Sequence, residues 1–545
     1  MNRKVMWGLS LCLILLLVLA ACGIGSKNEE KVNSEQTAVL QREEVESDGA
    51  LQAAPMEAES FAAAPPGQGL MQSTAMPSSQ ATPVPAGTPQ DMFFEDYGVN
   101  PFLDTEDDHL STFAMDVDTG SYTLTRSYLM DHGQLPPSEA IRPEECINYF
   151  DVNYAGPEGD EAFAIHLDAA PAPFGYDGHY LLRVGLQGRY IAPEDREPAL
   201  LIFVIDVSGS MDQDNRLGLV KQSLDLLVGE LRPDDRVGIV VYSERSRVIL
   251  EPTPASNKEA ILDGIHQLQP EGSTNVGDGL RLGYEMAQQN RGEEGITRVI
   301  VLSDGVANVD TTDPEGILNM IKSGVEDGIT LSTIGFGMGN YNDVLMEQLA
   351  NDGNGNYYYV DTLREARRVF VFNLTGTLQV IGYDAKVQVD FNPEVTDRYR
   401  LIGYENRAIA DEDFRDDTVD AGEVGAGHSI TALYEVALEG ENPQGVIATV
   451  YVRYQDADTR EVVELSKAIT VDDLLPSIEA APADFRLHAA VAEFSELLRE
   501  SYWAQDGNYL AVLELAEPLL DELPGDEDVI EFVELVRLAG RYVDQ

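Results

Sequence analysis

The chain has 545 residues, 43% of them hydrophobic, enough for several packed units. Its 95 acidic residues against 36 basic ones give a formal charge of −59. That balance excludes generic nucleic-acid binding, because nothing could neutralise phosphates, and it argues against lying on an anionic membrane surface. Solubility or a saline habitat explains it better than a cationic partner, and an acidic surface also concentrates divalent cations.

Residues 1–22 read as a secretion signal. Arg3 and Lys4 make the basic start and Leu9–Leu19 an apolar run too short for a comfortable membrane span. Leu19-Ala-Ala-Cys22 followed by Gly23 resembles a bacterial lipobox, which implies that Cys22 becomes the lipid-modified N-terminus of a protein held outside the cytoplasm. Several acyl chains on one residue give a stable anchor where a single chain does not. Cys12 leaves with the signal, so only Cys146 remains as a thiol and no intramolecular disulfide can form. Cys146 reads as a small buried apolar residue.

Residues 23–95 are rich in Ala, Pro, Gln, Ser and Gly without sustained periodicity, the composition of a disordered tether. Seventy such residues span ~45 Å root-mean-square, which lets the folded part stand clear of the lipid.

Residues 98–195 predict an α+β domain. Thr112–Asp116 is strand-like, Tyr180–Gln187 is a strand, and helical stretches lie between them. Asp118-Thr-Gly120 matches the triplet of aspartic proteases, but those enzymes need two carboxylates sharing a proton and no second triplet occurs. The plainer reading is a strand-to-helix turn, with Asp118 or Thr119 capping a helix from about Ser121.

Residues 197–372 alternate β-branched runs with helical stretches. Arg236–Ser243 and Ile329–Phe336 read as strands buried on both faces, and Leu217, Val220, Leu224, Leu227 and Leu231 form one helical stripe. The pattern predicts an α/β fold, a doubly wound and mainly parallel sheet. Within it, Leu201-Ile-Phe-Val-Ile-Asp-Val-Ser-Gly-Ser-Met211 runs from a strand into a loop carrying Asp206, Ser208 and Ser210. Glu271-Gly-Ser-Thr-Asn275 offers Thr274 on a Gly-containing loop, and Val299-Ile-Val-Leu-Ser-Asp-Gly305 ends in Asp304. All three segments sit where strand or helix meets loop, the usual place for ligands in open α/β sheets. Short oxygen-bearing side chains at this spacing suit a hard divalent cation. The alternative is that these residues only cap helices and turns.

After residue 376 the period becomes two. Ala385, Val387, Val389 and Phe391 fall on one face and Lys386, Gln388 and Asp390 on the other, so 376–472 predicts an antiparallel β unit. Its acidic stretch Asp411–Asp417 lacks EF-hand spacing and reads as a solvated loop. Residues 473–545 close the chain with two or three helices, their apolar positions including Phe485, Phe494, Ile530, Phe532 and Leu535.

The stretch 197–372 resembles a von Willebrand factor type A domain. Asp206, Ser208, Ser210, Thr274 and Asp304 fall on that family's five metal-site positions. The resemblance implies that the two serines and Thr274 contact Mg²⁺ or Mn²⁺, that the aspartates act largely through bound water, and that a partner's Asp or Glu completes the shell. The order of the whole chain, with Ser111-Thr-Phe-Ala-Met-Asp-Val-Asp-Thr-Gly-Ser121 before this domain and Leu401-Ile-Gly-Tyr-Glu-Asn-Arg407 after it, resembles the YfbK-like bacterial lipoproteins. The leading expectation is therefore a membrane-anchored, cation-dependent protein-binding module and no enzyme. The alternatives are a metal-free structural envelope lipoprotein, separated by metal titration, and a hydrolase, for which no His-Glu-x-x-His, Gly-x-Ser-x-Gly or phosphate loop is present.

Overall fold

Leu201–Ile205 forms the middle of a strand, Ala199–Asp206, at the heart of a six-stranded sheet. The sheet order is Tyr357–Val360, Ile329–Phe336, Ile296–Ser303, Ala199–Asp206, Arg236–Tyr242 and Arg247–Pro254. Neighbours are parallel except in the final hairpin. Leu201, Phe203 and Ile205 pack into one core with helix Leu217–Glu230, while Leu200, Ile202 and Val204 pack into another with helix Val276–Asn290. A strand with both faces buried has no polar side, hence the unbroken apolar run. The doubly wound α/β fold is as the sequence predicts.

The structure is a computed structural model and describes residues 92–543 apart from 153, 214–215, 273–274, 293–294, 306–313, 340 and 441. The signal segment with Cys22, the tether as far as residue 91, and Thr274 lie outside the described residues. No helix among the described residues is long and apolar enough to cross a membrane.

The segments 98–195 and 376–472, read as separate in the sequence, supply strands to the same two antiparallel sheets. One has the order Leu103–Asp104, Thr396–Ile402, Ser429–Leu438, His179–Gly188 and Phe163–Pro171. The other runs Gly422–Gly425, Val380–Phe391, Val446–Asp456 and Val462–Thr470, with Leu110–Ala114 also paired to Val380–Phe391. Phe113, Phe163, Leu182, Val387, Tyr434 and Val450 fill the core between them. The α/β domain is thus inserted into a β-sandwich frame built from chain on both sides of it. Period-two patterning identifies a strand but not its distant partner.

Three local expectations change. Lys386 and Gln388 do not face solvent: Lys386 Nζ donates to the carbonyls of Asp413 (3.4 Å) and Asp416 (2.6 Å), and Gln388 Nε2 donates to Thr112 Oγ1 (2.9 Å). The acidic stretch 411–417 therefore covers that face with its carbonyls. Residues 92–95, assigned to the tether, are ordered, since the Phe93 N–H bonds the Tyr341 carbonyl at 2.9 Å. Ile530, one of the apolar positions at helical period, is 52% exposed and does not join the core. Helices Gly120–Met130, Pro143–Asn148, Ala483–Leu498 and Glu527–Val543 pack through Tyr122, Ile147, Phe494 and Phe532 and cover one sheet at Leu181 and Leu433. Cys146 is buried among them, which pushes its thiol up to about 12.

The frame grips the inserted domain through buried charge. Arg407 donates from Nε to Asp116 (3.1 Å) and from Nη2 to Asp118 (3.2 Å), and lies 3.3 Å from Glu347. Asp118 also accepts the Tyr357 N–H at 2.9 Å. Neither Asp118 nor Thr119 caps the following helix as expected; the Ser121 N–H is taken by Glu145 Oε2 at 2.7 Å instead. Arg142 pairs with Asp343 at 2.7 Å and with Glu145. Arg126 grips Asp361 with Nε at 2.7 Å and reaches Glu365 at 3.1 Å and Glu531 at 3.0 Å.

Arg407→Ala strands three buried or nearly buried carboxylates. It should cost on the order of 3 kcal/mol in a denaturant titration, whereas an unchanged midpoint would mean that apolar packing alone holds the joint.

Candidate metal centre

The central strand ends at Asp206, which is fully buried. Its Oδ1 accepts the Ser208 N–H at 2.8 Å and its Oδ2 accepts the Ser303 hydroxyl at 3.1 Å. These bonds hold the loop back over the strand end, where the hydroxyls of Ser208 and Ser210 lie 2.9 Å apart. The neighbouring parallel strand, Ile296–Ser303, delivers Asp304 to the same edge. Gly305 follows at φ +75°, and a Cβ there would lie 1.9 Å from the Tyr341 ring, so only glycine fits the turn.

The third loop is tied to the first. The Gly209 N–H bonds the Gly272 carbonyl at 3.1 Å and the Glu271 N–H bonds the Val207 carbonyl. Asn275 then caps helix Val276–Asn290 by accepting the Asp278 N–H at 3.3 Å. Thr274 itself is outside the described residues, but Gly272 and Asn275 on either side of it are positioned by these bonds. The structure thus brings Asp206, Ser208, Ser210 and Asp304 to one edge.

The charges of this edge are only partly matched. Burial, and next the nearby Asp304 carboxylate, push Asp206 up to about 7. Asp304 accepts Arg216 Nη1 on Oδ2 at 2.5 Å, while its Oδ1 is buried and accepts no hydrogen bond. Arg216 is held further by the carbonyls of Ser210 (3.0 Å) and Met338. One guanidinium therefore stands against two buried carboxylates. The pattern of oxygen side chains does not reveal Arg216. Its one signal is position: a cation at the N-cap of helix Leu217–Glu230 opposes the helix dipole and needs a carboxylate to hold it there.

The donor set fits a hard divalent cation. Two hydroxyls, a buried carboxylate that resists ionisation without compensation, and an unused oxygen on Asp304 are all oxygen ligands, as Mg²⁺ or Mn²⁺ requires. Asp206, Ser208, Ser210 and Asp304 would hold it, with Thr274 from the adjoining loop.

Comparisons with known proteins agree with this architecture. Residues 201–370 match the family described as von Willebrand factor type A domain. Residues 376–446 and 441–541 match the family described as Uncharacterized protein YfbK, C-terminal, and residues 88–183 match that described as von Willebrand factor. Over 478 residues the chain is 36% identical to Uncharacterized protein YfbK of Escherichia coli, covering 83% of this chain and 81% of that one. It is 26% identical over 272 residues to human inter-alpha-trypsin inhibitor heavy chain H4, spanning 48% of this chain and 28% of that protein. Among solved structures, a von Willebrand factor type A protein from Catenulispora acidiphila aligns with a TM-score of 0.42 at 16% identity, covering 68% of this chain and 89% of that one.

Arg216 offsets Asp304 in the metal-free protein and repels an incoming cation. Arg216→Gln should therefore lower the melting temperature in chelator and enlarge the rise produced by Mg²⁺, both read by differential scanning calorimetry. A smaller Mg²⁺-induced rise in the variant would mean that Arg216 assists loading instead.

Proposed function

The chain belongs to the YfbK family of proteins carrying a von Willebrand factor type A domain, and on that premise we propose that it is a membrane-anchored, extracytoplasmic protein-binding module whose partner contact depends on Mg²⁺. The interaction-module reading follows from the domain type. The cation dependence is supported by one observation above all: Asp304 Oδ1 is buried without a hydrogen bond, beside a second buried carboxylate and two hydroxyls that bond each other.

Ser208 and Ser210 are neutral, so they hold a cation without quenching its charge. Asp206 orients the serine loop through the Ser208 N–H, and Asp304 is fixed on one side by Arg216. A bound Mg²⁺ supplies a Lewis-acidic position that a partner's Asp or Glu fills. The anchor rests on Leu19-Ala-Ala-Cys22, with the tether giving reach. A metal-free structural role is the second reading, favoured by the Arg216–Asp304 pair, which already compensates one carboxylate.

Calorimetry should detect one Mg²⁺ or Mn²⁺ in the wild type and none in Asp206→Ala, with the far-UV circular dichroism unchanged; equal affinity in both would remove the site. Any partner captured from the native envelope should be released by chelation, and Ser208→Ala should weaken it by about 2–5 kcal/mol, roughly thirty-fold or more. A partner held equally well in chelator would place the contact on another face. Cys22→Ser should shift the protein out of the membrane fraction or leave an uncleaved precursor, whereas unchanged fractionation and mass would overturn the anchor.

A further inference from the structure

A second group of oxygen ligands lies in the frame, away from the serine loop. Strand Val380–Phe391 changes register between Gly382 and Ala385, and Asp384 sits in that irregularity with φ +50°. The irregular turn places Asp384 opposite the edge strand Gly422–Gly425, beside Asp420 and Glu423. Carboxylate oxygens of Asp384, Asp420 and Glu423 all lie within 4.8 Å of one another.

Acidic clusters are common on so acidic a protein, and exposure usually explains them. This one differs in two respects. The Glu423 carboxylate is buried, and its Oε1 has no hydrogen-bond partner. None of the three carboxylates takes part in an ion pair among the described residues. Lys386, two positions along the strand, directs its amine to the carbonyls of Asp413 and Asp416. Arg298, on the metal-domain strand Ile296–Ser303, is drawn to Glu423 only at longer range; it bonds Ser332 at 2.8 Å and its Nε has no partner. Asp352, at the end of helix Asp343–Asp352, adds to the repulsion at Asp420, and Lys322, 3.9 Å from Asp352, and Lys386, acting on Asp384, offset it only in part. Burial, and next the mutual repulsion of the group, hold Glu423 well above the ordinary carboxylate range, and Asp420 is raised by the same two causes. An unpaired buried oxygen facing two like charges is costly unless a cation compensates it.

We propose that Asp384, Asp420 and Glu423 form a second divalent-cation site, suited to Ca²⁺, at the junction where the chain leaves the inserted domain and enters the frame. Ca²⁺ takes six to eight oxygens at about 2.4 Å, so oxygens on one ion stand at most roughly 4.8 Å apart, and the oxygens of this cluster all fall within 4.8 Å of one another. Three carboxylates supply the charge that such a site needs, and the exposed side at Asp420 leaves room for water to complete the shell. The serine-loop site is different in kind, with neutral hydroxyls that leave the cation's charge available to a partner. At the frame site three carboxylates quench the charge, so its role is to fasten the junction and not to capture a ligand.

The test uses the full chain with the serine-loop site silenced by Asp206→Ala, probed with Ca²⁺ alone by calorimetry and thermal unfolding. One Ca²⁺ should bind and raise the melting temperature. Adding Asp384→Asn and Glu423→Gln should weaken that binding at least ten-fold and abolish the rise, while the calcium-free melting temperature stays equal or increases because repulsion is relieved. A double variant Asp384→Asn/Glu423→Gln with Asp206 intact should keep its Mg²⁺ binding, which separates this site from the proposed partner site. Absence of Ca²⁺ binding in Asp206→Ala, or Ca²⁺ binding that survives in the triple variant, overturns the proposal.

Discussion

Three frame arginines reach across to carboxylates of the inserted domain, and the position of everything else follows from that joint. Arg126 holds Asp361 and Glu365, Arg142 holds Asp343, and Arg407 sits between Glu347 and the frame's own Asp116 and Asp118. Buried pairs of this kind add little net stability over apolar packing, because desolvation offsets most of the attraction. Their effect is on alternatives: any displacement of the domain would leave several charges buried and unpaired. The two stretches 111–121 and 401–407 supply the Arg407 part of this network, while Arg126 and Arg142 come from the helical segment between the first stretch and the inserted domain. Asp116, Asp118 and Arg407 explain those motifs as structural fasteners.

The joint is close along the chain to the sheet edge that carries Asp206 and Asp304. Helix Asp343–Asp352, which carries Asp343 and Glu347, starts from Asn342, whose N–H bonds the Gly305 carbonyl at 3.1 Å, directly after Asp304. Tyr341, one residue earlier, packs on Gly305 and Gly335 and hydrogen-bonds the Tyr357 hydroxyl at 3.1 Å. The turn that presents Asp304 is thus braced by the same helix that the frame arginines hold. A strand-edge site on loops needs such bracing to keep its ligands in place. Here the bracing comes from chain that flanks the domain on both sides.

What could be seen in the sequence divides along a physical line. The four inner strands of the six-stranded sheet were legible because each carries an apolar run, whereas the edge strands Arg247–Pro254, with its Glu and prolines, and Tyr357–Val360, only four residues long, were not. Asp206, Ser208, Ser210 and Asp304 were legible because they follow directly on two such runs. The sandwich was only half legible. Val387 and Phe113 each look like strand residues, but their pairing spans the whole inserted domain, and no local pattern encodes it. Lys386 and Gln388 misled for a related reason, since polar residues at alternate positions suggest solvent until a distant loop supplies carbonyls to cover them. Arg216 was missed because a single arginine carries no periodicity, and Asp118 was read as a cap because its true partners, Tyr357 and Arg407, lie more than two hundred residues away.

The proposed partner contact requires that the serine loop and Asp304 share a cation. Crystals of the protein grown in Mn²⁺ and measured above the manganese edge would show it directly. An anomalous peak bounded by Ser208, Ser210 and Thr274, with Asp206 and Asp304 behind it, is the expected result. Manganese density absent from that edge, with Asp304 still held only by Arg216, would contradict it.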